Sequence, residues 1–394
     1  MRGTVWAAAN QLGVVAGTPA ELRSALLSGA PPRRARLVLP GADPAAVAEL
    51  AAVLGEFGRS PVRIDTAPDA GEAGAVDPAD AASVCAGDPQ RVTAAYESGD
   101  DDHGGLRTAW LRAGQALVRE QAPGARALVL LAALPPGTHP GTRAALARLA
   151  EAEPWTVDAV REDVAPVVAA TVHAGRLLVA DRGGTVHGLD AARPVTVATG
   201  ARIRAVAAMP DTTLLLLDER GRLRAHGPGS ALTEAVASTL AAHPGTALAA
   251  AAGAVAVGDR AGSVHLFGPA GLHQEASHRG RVTALAAAGR EEPPLVVSGG
   301  ADGAVRRWRP GRRRGPRTVA ERPHPVVAVH TADTPGGPAV AMAWADGLVR
   351  LHRPGRGRPP LSFRPGPAVR AVALTPDGAL AVGTDETLVV LRPR

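Results

Sequence analysis

Four consecutive residues, Asp100-Asp-Asp-His103, hold three carboxylates and an imidazole, a donor set that several cations accept. The same run stands just before a helical stretch opening near Gly105, where the positive end of a helix favours negative charge, and that use is the expected one. Cys85 is the only cysteine. It becomes a nucleophile only if its surroundings lower the thiol pKa, and otherwise acts as a small buried hydrophobe. A single cysteine also excludes an intrachain disulfide and multi-cysteine zinc or iron–sulfur sites.

The basic side chains exclude more. All 43 are arginine. A Walker A loop, the ATP lysine of a protein kinase and a Schiff-base nucleophile all require lysine, so those classes are excluded in their usual form. The chain has no Gly-x-Ser-x-Gly elbow, no His-Glu-x-x-His, and no Gly-x-Gly-x-x-Gly after a strand. No enzymatic activity, cofactor or metal is expected. The wealth of Ala, Gly, Pro and Arg, with almost no Asn or Ile, suggests a GC-rich genome.

The densest charge is Arg306-Arg-Trp-Arg-Pro-Gly-Arg-Arg-Arg-Gly-Pro-Arg317, with seven arginines in twelve residues. Arg353, Arg356, Arg358 and Arg364 repeat it more thinly. Such loops suit an acidic or phosphate-bearing partner. Aromatic residues that would stack on bases are nearly missing beside them, which disfavours sequence-specific nucleic-acid recognition. Residues 1–154 carry 14 arginines against 17 acids, and residues 155–394 carry 29 against 20, so the two parts differ in sign.

These side chains sit on a repeat. Gly184-Thr-Val-His-Gly-Leu-Asp190, Gly221-Arg-Leu-Arg-Ala-His-Gly227, Gly262-Ser-Val-His-Leu-Phe-Gly268, Gly303-Ala-Val-Arg-Arg-Trp-Arg309, Gly347-Leu-Val-Arg-Leu-His-Arg353 and Glu386-Thr-Leu-Val-Val-Leu-Arg392 align, with Val or Leu always third. Asp181, Asp218, Asp259, Asp302, Asp346 and Asp385 precede them, each suited to cap a tight turn. A strand-like run precedes each turn, as at Leu214 to Leu217 or Val340 to Trp344. Segment starts lie 37, 41, 41, 44 and 39 residues apart, the span of one four-stranded propeller blade. His187 and His265 share a column with Arg224, Arg306 and Arg350, which reads as a polar strand position rather than a metal ring.

In the fourth unit, Val297-Ser-Gly-Gly-Ala-Asp-Gly-Ala-Val-Arg-Arg-Trp308 resembles the end of a WD40 repeat, with His278 ahead of it. The resemblance implies a buried hydrogen-bonded tetrad of His278, Ser298, Asp302 and Trp308. It implies a six-bladed all-β propeller over residues 155–394, with seven blades as the alternative. The chain ends after the third strand of its last unit, so Trp155-Thr-Val-Asp-Ala-Val-Arg161 is expected to close the ring as that blade's outer strand.

Residues 1–154 predict a small α/β domain with a helical extension. Strands are expected at Thr4 to Ala8, Ala35 to Leu39, Pro61 to Thr66 and Ala82 to Ala86. Helices are expected after the Thr18-Pro-Ala-Glu21 capping box, over Asp43 to Phe57, and from Asp88 to Ala152 in four segments broken by prolines. Asn10 and Gln11 interrupt the first apolar run, so no secretory signal is read there, and a cytoplasmic protein is expected. The resulting expectation is a non-catalytic scaffold that binds a protein partner through the propeller. Arg312, Arg313, Arg314, Arg317, Arg353, Arg356, Arg358 and Trp344 are the candidate contacts. Two alternatives stand beside it: a sensor or enzyme with its site in the α/β domain, and a nucleic-acid-associated factor using the basic loops.

Overall fold

The computed structural model describes residues 1–28, 36–39, 41–57, 63–66, 75–189, 195–290, 292–311, 315–355, 357 and 359–394. They form two compact units, one of Met1–Val160 with Arg364–Ala368 and Arg394, the other of Arg161–Phe363 and Val369–Pro393.

In the first unit, helices Arg2–Leu12, Pro19–Ser28 and Pro44–Gly55 surround a two-stranded parallel sheet, Arg36–Val38 with Arg63–Asp65. Two expected strands are helical instead. Thr4 to Ala8 lies inside the first helix. Its Thr, Val and Trp favour strands locally, yet Val5, Ala8 and Ala9 recur at helical spacing and are buried against Leu22, Leu37 and Leu50. Gly13, left-handed at φ 69°, stops that helix. Within this helix the Asn10 side chain donates to the Gln115 carbonyl at 2.9 Å, while the Gln115 amide oxygen accepts from Ala16 N–H at 2.9 Å. Ala82 to Ala86 belongs to helix Ala81–Ala86, because the Asp80 carboxylate caps the N–H groups of Ala82 and Ser83. Helices Pro89–Ser98, Leu106–Leu117, Pro123–Ala133 and Pro140–Leu149 follow, with Tyr96, Trp110 and Leu130 buried.

The second unit contains the blades of a six-bladed β-propeller. Blade one is Val167–His173, Arg176–Asp181, Thr185–Gly188 and Val195–Ala198. Blade three is Ala247–Ala251, Ala254–Gly258, Ser263–Gly268 and Gly271–Ala276, and blade four is Val282–Ala288, Leu295–Gly300, Ala304–Trp308 and Arg317–Glu321. Blade five is Val326–Thr334, Gly337–Trp344, Val349–His352 and Leu361–Phe363. The sixth sheet orders Val369–Leu374, Leu380–Thr384, Leu388–Pro393 and then Trp155–Arg161, the closing strand expected from the sequence. Second strands such as Ala254–Gly258 and Leu380–Thr384 are buried throughout, since each lies between neighbouring sheets. This explains why they read as unbroken apolar runs.

Blade two departs from the repeat. It has three strands, Ile203–Ala208, Leu214–Asp218 and Leu223–His226, followed by helix Ala231–Ala242. Ser230 and Thr233 form a reciprocal capping box at its start. Val236 and Leu240 pack it onto Leu215, Leu217 and Leu223.

The glycine that opens most repeat segments has a steric reason. Gly262 and Gly303 have φ of 100° and 78°, and a Cβ there would stand 2.1 Å from the His278 carbonyl oxygen and 1.8 Å from that of Arg322. Only glycine allows both the turn and that approach. Among the described residues, no helix is long and apolar enough to cross a membrane.

Candidate functional site

The antiparallel order of each blade sends the turns between strands two and three, and the connections to the next blade, to one end of the ring. The turn aspartates gather there. Asp181 accepts from Thr185 N–H at 2.9 Å, Asp218 from Arg220 and Arg222 N–H at 2.9 Å, and Asp259 from Ala261, Gly262 and Ser263 N–H at 2.8–2.9 Å. Asp302 and Asp346 accept more weakly from Ala304 and Leu348 N–H, at 3.2 and 3.4 Å. Asp385 does something else. Thr384 Oγ1 caps that turn, accepting from Glu386 and Thr387 N–H at 3.2 and 2.9 Å, while Asp385 pairs with Arg182 of blade one and with Arg370 at 2.7 Å.

The polar column on the third strands reaches back to these carboxylates. His187 Nε2 lies 2.9 Å from Asp181, His265 Nε2 3.0 Å from Asp259, Arg306 2.8 Å from Asp302, and Arg224 3.8 Å from Asp218. The sequence carries a signal, since the column holds His or Arg six residues after the Asp in blades one to three and four residues after it in blades four and five, but spacing alone does not say that the two side chains meet. Arg350 differs: it stands 5.9 Å from the Trp344 ring centre.

In blade four the column closes a buried network. His278 Nε2 lies 2.8 Å from Ser298 Oγ, and its Nδ1 lies 2.9 Å from Asp302 Oδ1. With the proton on Nδ1, His278 donates to Asp302 and accepts from Ser298. Arg306 then donates to Asp302 Oδ2 at 2.8 Å. Burial, the larger influence, lowers the His278 pKa against the opposing pull of Asp302, so the ring is neutral. Burial alone would raise Asp302, but the hydrogen bonds from Arg306, His278 and two backbone N–H groups hold it at about 2. Trp308, the fourth residue of the tetrad that the resemblance implied, packs instead in the apolar cluster with Leu266, Val282 and Val296. Arg306 stands opposite Ser298 in the sheet and supplies the fourth polar group.

Trp344 is not a surface anchor. It is fully buried, donates from Nε1 to the Gly303 carbonyl at 3.0 Å, and carries the Arg322 guanidinium 5.2 Å from its ring centre. It ends a strand, but Val326 and Leu348 close over it. Arg317 opens the exposed outer strand of blade four, and Arg353 follows the third strand of blade five half-buried. Arg312, Arg313, Arg314, Arg356 and Arg358 lie outside the described residues.

The first strands of the six blades line an axial channel of about 70 Å³, three residues from each. Most are Ala, Val or Leu; Arg204 and Arg370 are the charged ones. Arg370 is neutralised by Asp385. Arg204 donates to the Glu219 carbonyl at 3.0 Å. Near it stand Arg260, on the turn of blade three, and Arg281, just ahead of the first strand of blade four, both exposed. The strand order puts all three at the end of the ring that carries the turn aspartates, and the Arg281 pKa is lowered by burial first and then by the charges of Arg204 and Arg260. None of the ion pairs among the described residues gives any of the three a carboxylate.

No family model matches the chain, and no curated protein does. Solved structures do. The chain is similar to the WD40 β-propeller domain of Doa1, at 12% identity over 61% of this chain and 97% of that one, with a TM-score of 0.42. It is also similar to the computationally designed Ika8 protein, at 19% identity over 57% and 70% of the two chains, with a TM-score of 0.38. The six-bladed assignment rests on the strand pairing above.

Elsewhere, Asp102 accepts from the N–H and hydroxyl of Thr108 at 2.9 and 2.6 Å, tying the acidic run to the helix it precedes. No cluster of three or more metal-ligating side chains occurs among the described residues. Cys85 is buried, and desolvation pushes its thiol up to about 12, far from a thiolate.

Proposed function

We propose that this chain is a non-catalytic scaffold whose propeller receives an acidic surface of a protein partner at the channel rim formed by Arg204, Arg260 and Arg281. The carrying observation is that the strand order brings Arg204, Arg260 and Arg281 to one end of the ring, with Arg260 and Arg281 exposed, and that no ion pair among the described residues gives any of the three a carboxylate, whereas Arg182, Arg306, Arg322 and Arg370 are each paired with one. Three like charges at one end of the ring attract an acidic partner and steer its approach. The groups that would otherwise suggest catalysis, His278, Ser298 and Asp302, are engaged with one another inside blade four and are not presented to a substrate.

The test is affinity capture from native cell extract with the intact full chain and with an Arg204→Ser, Arg260→Ser, Arg281→Ser variant, each bound protein identified by mass. A discrete protein lost from the variant and released by moderate salt supports the reading. Equal recovery by both chains contradicts it, and recovery of nucleic acid in place of protein moves the rim to the nucleic-acid alternative.

A further inference from the structure

Blade two leaves a strand edge open. Its third strand, Leu223–His226, pairs with Leu214–Asp218, and the sheet ends there, while the other five sheets of the ring have four strands. Two backbone bonds fix which groups face outward. Asp218 N–H donates to the Arg222 carbonyl at 3.0 Å from the strand-two side, and Gly245 N–H donates to the Gly221 carbonyl at 2.8 Å from the opposite side. Strand residues alternate, so Arg224 turns its backbone inward, and Leu223 and Ala225 turn their N–H and C=O outward. Arg224, Ala225 and His226 are exposed in succession, unlike the equivalent positions of the other third strands. The helix that follows covers Leu223 from one face and leaves this stretch open.

We infer that the open edge of blade two takes an extended segment of a protein partner as its fourth strand. The four-strand repeat dictates the occupant: an antiparallel strand, because the fourth strands of blades one, three, four and five each pair with their third in that way, and unpaired backbone groups are its template. Arg224 and His226 project to one face and Ala225 to the other, so the segment alternates acidic with small apolar side chains. It enters at the end where the chain leaves His226. There an open hollow of about 530 Å³, lined by Met209, Pro210, Leu232 and Pro269, accepts an apolar side chain ahead of the paired stretch. This site is separate from the arginine rim and does not depend on it.

The probe is a short synthetic peptide, a leucine followed by alternating valine and glutamate, titrated onto the full chain with amide hydrogen exchange read residue by residue. Binding is expected to protect the Leu223 and Ala225 amides. Arg224→Glu is expected to weaken it about tenfold. Ala225→Pro removes an outward N–H that makes no bond within the sheet, and binding is expected to vanish with the melting temperature little changed. If that variant fails to fold, a peptide N-methylated on its pairing edge makes the same test on the unaltered chain. The Arg204, Arg260, Arg281 variant is expected to bind the peptide as the intact chain does. Absent binding, protection away from blade two, or full binding of the N-methylated peptide would overturn the proposal. Concentration-dependent protection of Leu223 and Ala225 without peptide would also overturn it, assigning the edge to a second copy of this chain.

Discussion

Blade four and blade two share the same turn aspartate and the same arginine on the third strand, yet one is locked and the other open. In blade four the pair Asp302–Arg306 is bound to His278 and Ser298, and a fourth strand covers it. In blade two the pair Asp218–Arg224 is 3.8 Å apart with the arginine exposed, and a helix replaces the fourth strand. A repeat therefore fixes the ring while leaving single blades free to diverge at their outer edge. The inner strands are constrained by neighbours on both sides; the outer strand has one neighbour and then water.

The largest expected effect lies beside the locked blade. Trp344→Ala removes a buried indole that donates to Gly303 of blade four, and is expected to cost about 3–5 kcal/mol in denaturant unfolding. An unchanged midpoint would contradict its structural role. His278→Ala strands Ser298 and Asp302 inside blade four and is expected to cost on the order of 3 kcal/mol by the same measurement.

Acid tests the inner strands. Burial lowers His330 to about 4 from 6.5, and its Nδ1 accepts from Leu374 N–H of the next blade at 3.1 Å, which requires an unprotonated ring nitrogen. The unfolded chain binds the proton first, so stability is full above pH 6.5 and falls as pH drops toward 4, by on the order of 2 kcal/mol. His330→Asn keeps an acceptor and removes the titration. It is expected to flatten that fall, and a slope unchanged by the substitution would count against this assignment. Smallest is Arg224→Ala in the open blade, expected to change stability by less than about 1 kcal/mol because an exposed, loosely paired arginine contributes little. A loss as large as that of His278→Ala would erase the contrast between the blades.

What was legible in the sequence follows the same division. Gly262 and Gly303 are dictated by local sterics, and the turn aspartates by backbone N–H groups within a few residues, so the repeat and its closing strand could be read. The helix of blade two could not, because Ala231–Ala242 is an alanine-rich stretch whose packing depends on Leu215 and Leu217, distant in sequence. The first helix was hidden by its β-favouring residues, and its buried spacing acquires meaning only against Leu22 and Leu50. Trp344 sits beside a turn in the sequence, and nothing local reveals that Val326 and Leu348 bury it. The rim has no contiguous signature for a similar reason: Arg204, Arg260 and Arg281 are scattered over three blades, whereas Arg312 to Arg314 are consecutive.

Native-state hydrogen exchange of the full chain, without added partner, tests most directly the claim that blade four is closed and blade two open. The outward amides of Leu223 and Ala225 are expected to exchange with little protection, while those of Val305 and Arg307, which face a fourth strand in blade four, exchange only through larger openings. Equal protection at the two pairs would contradict the account.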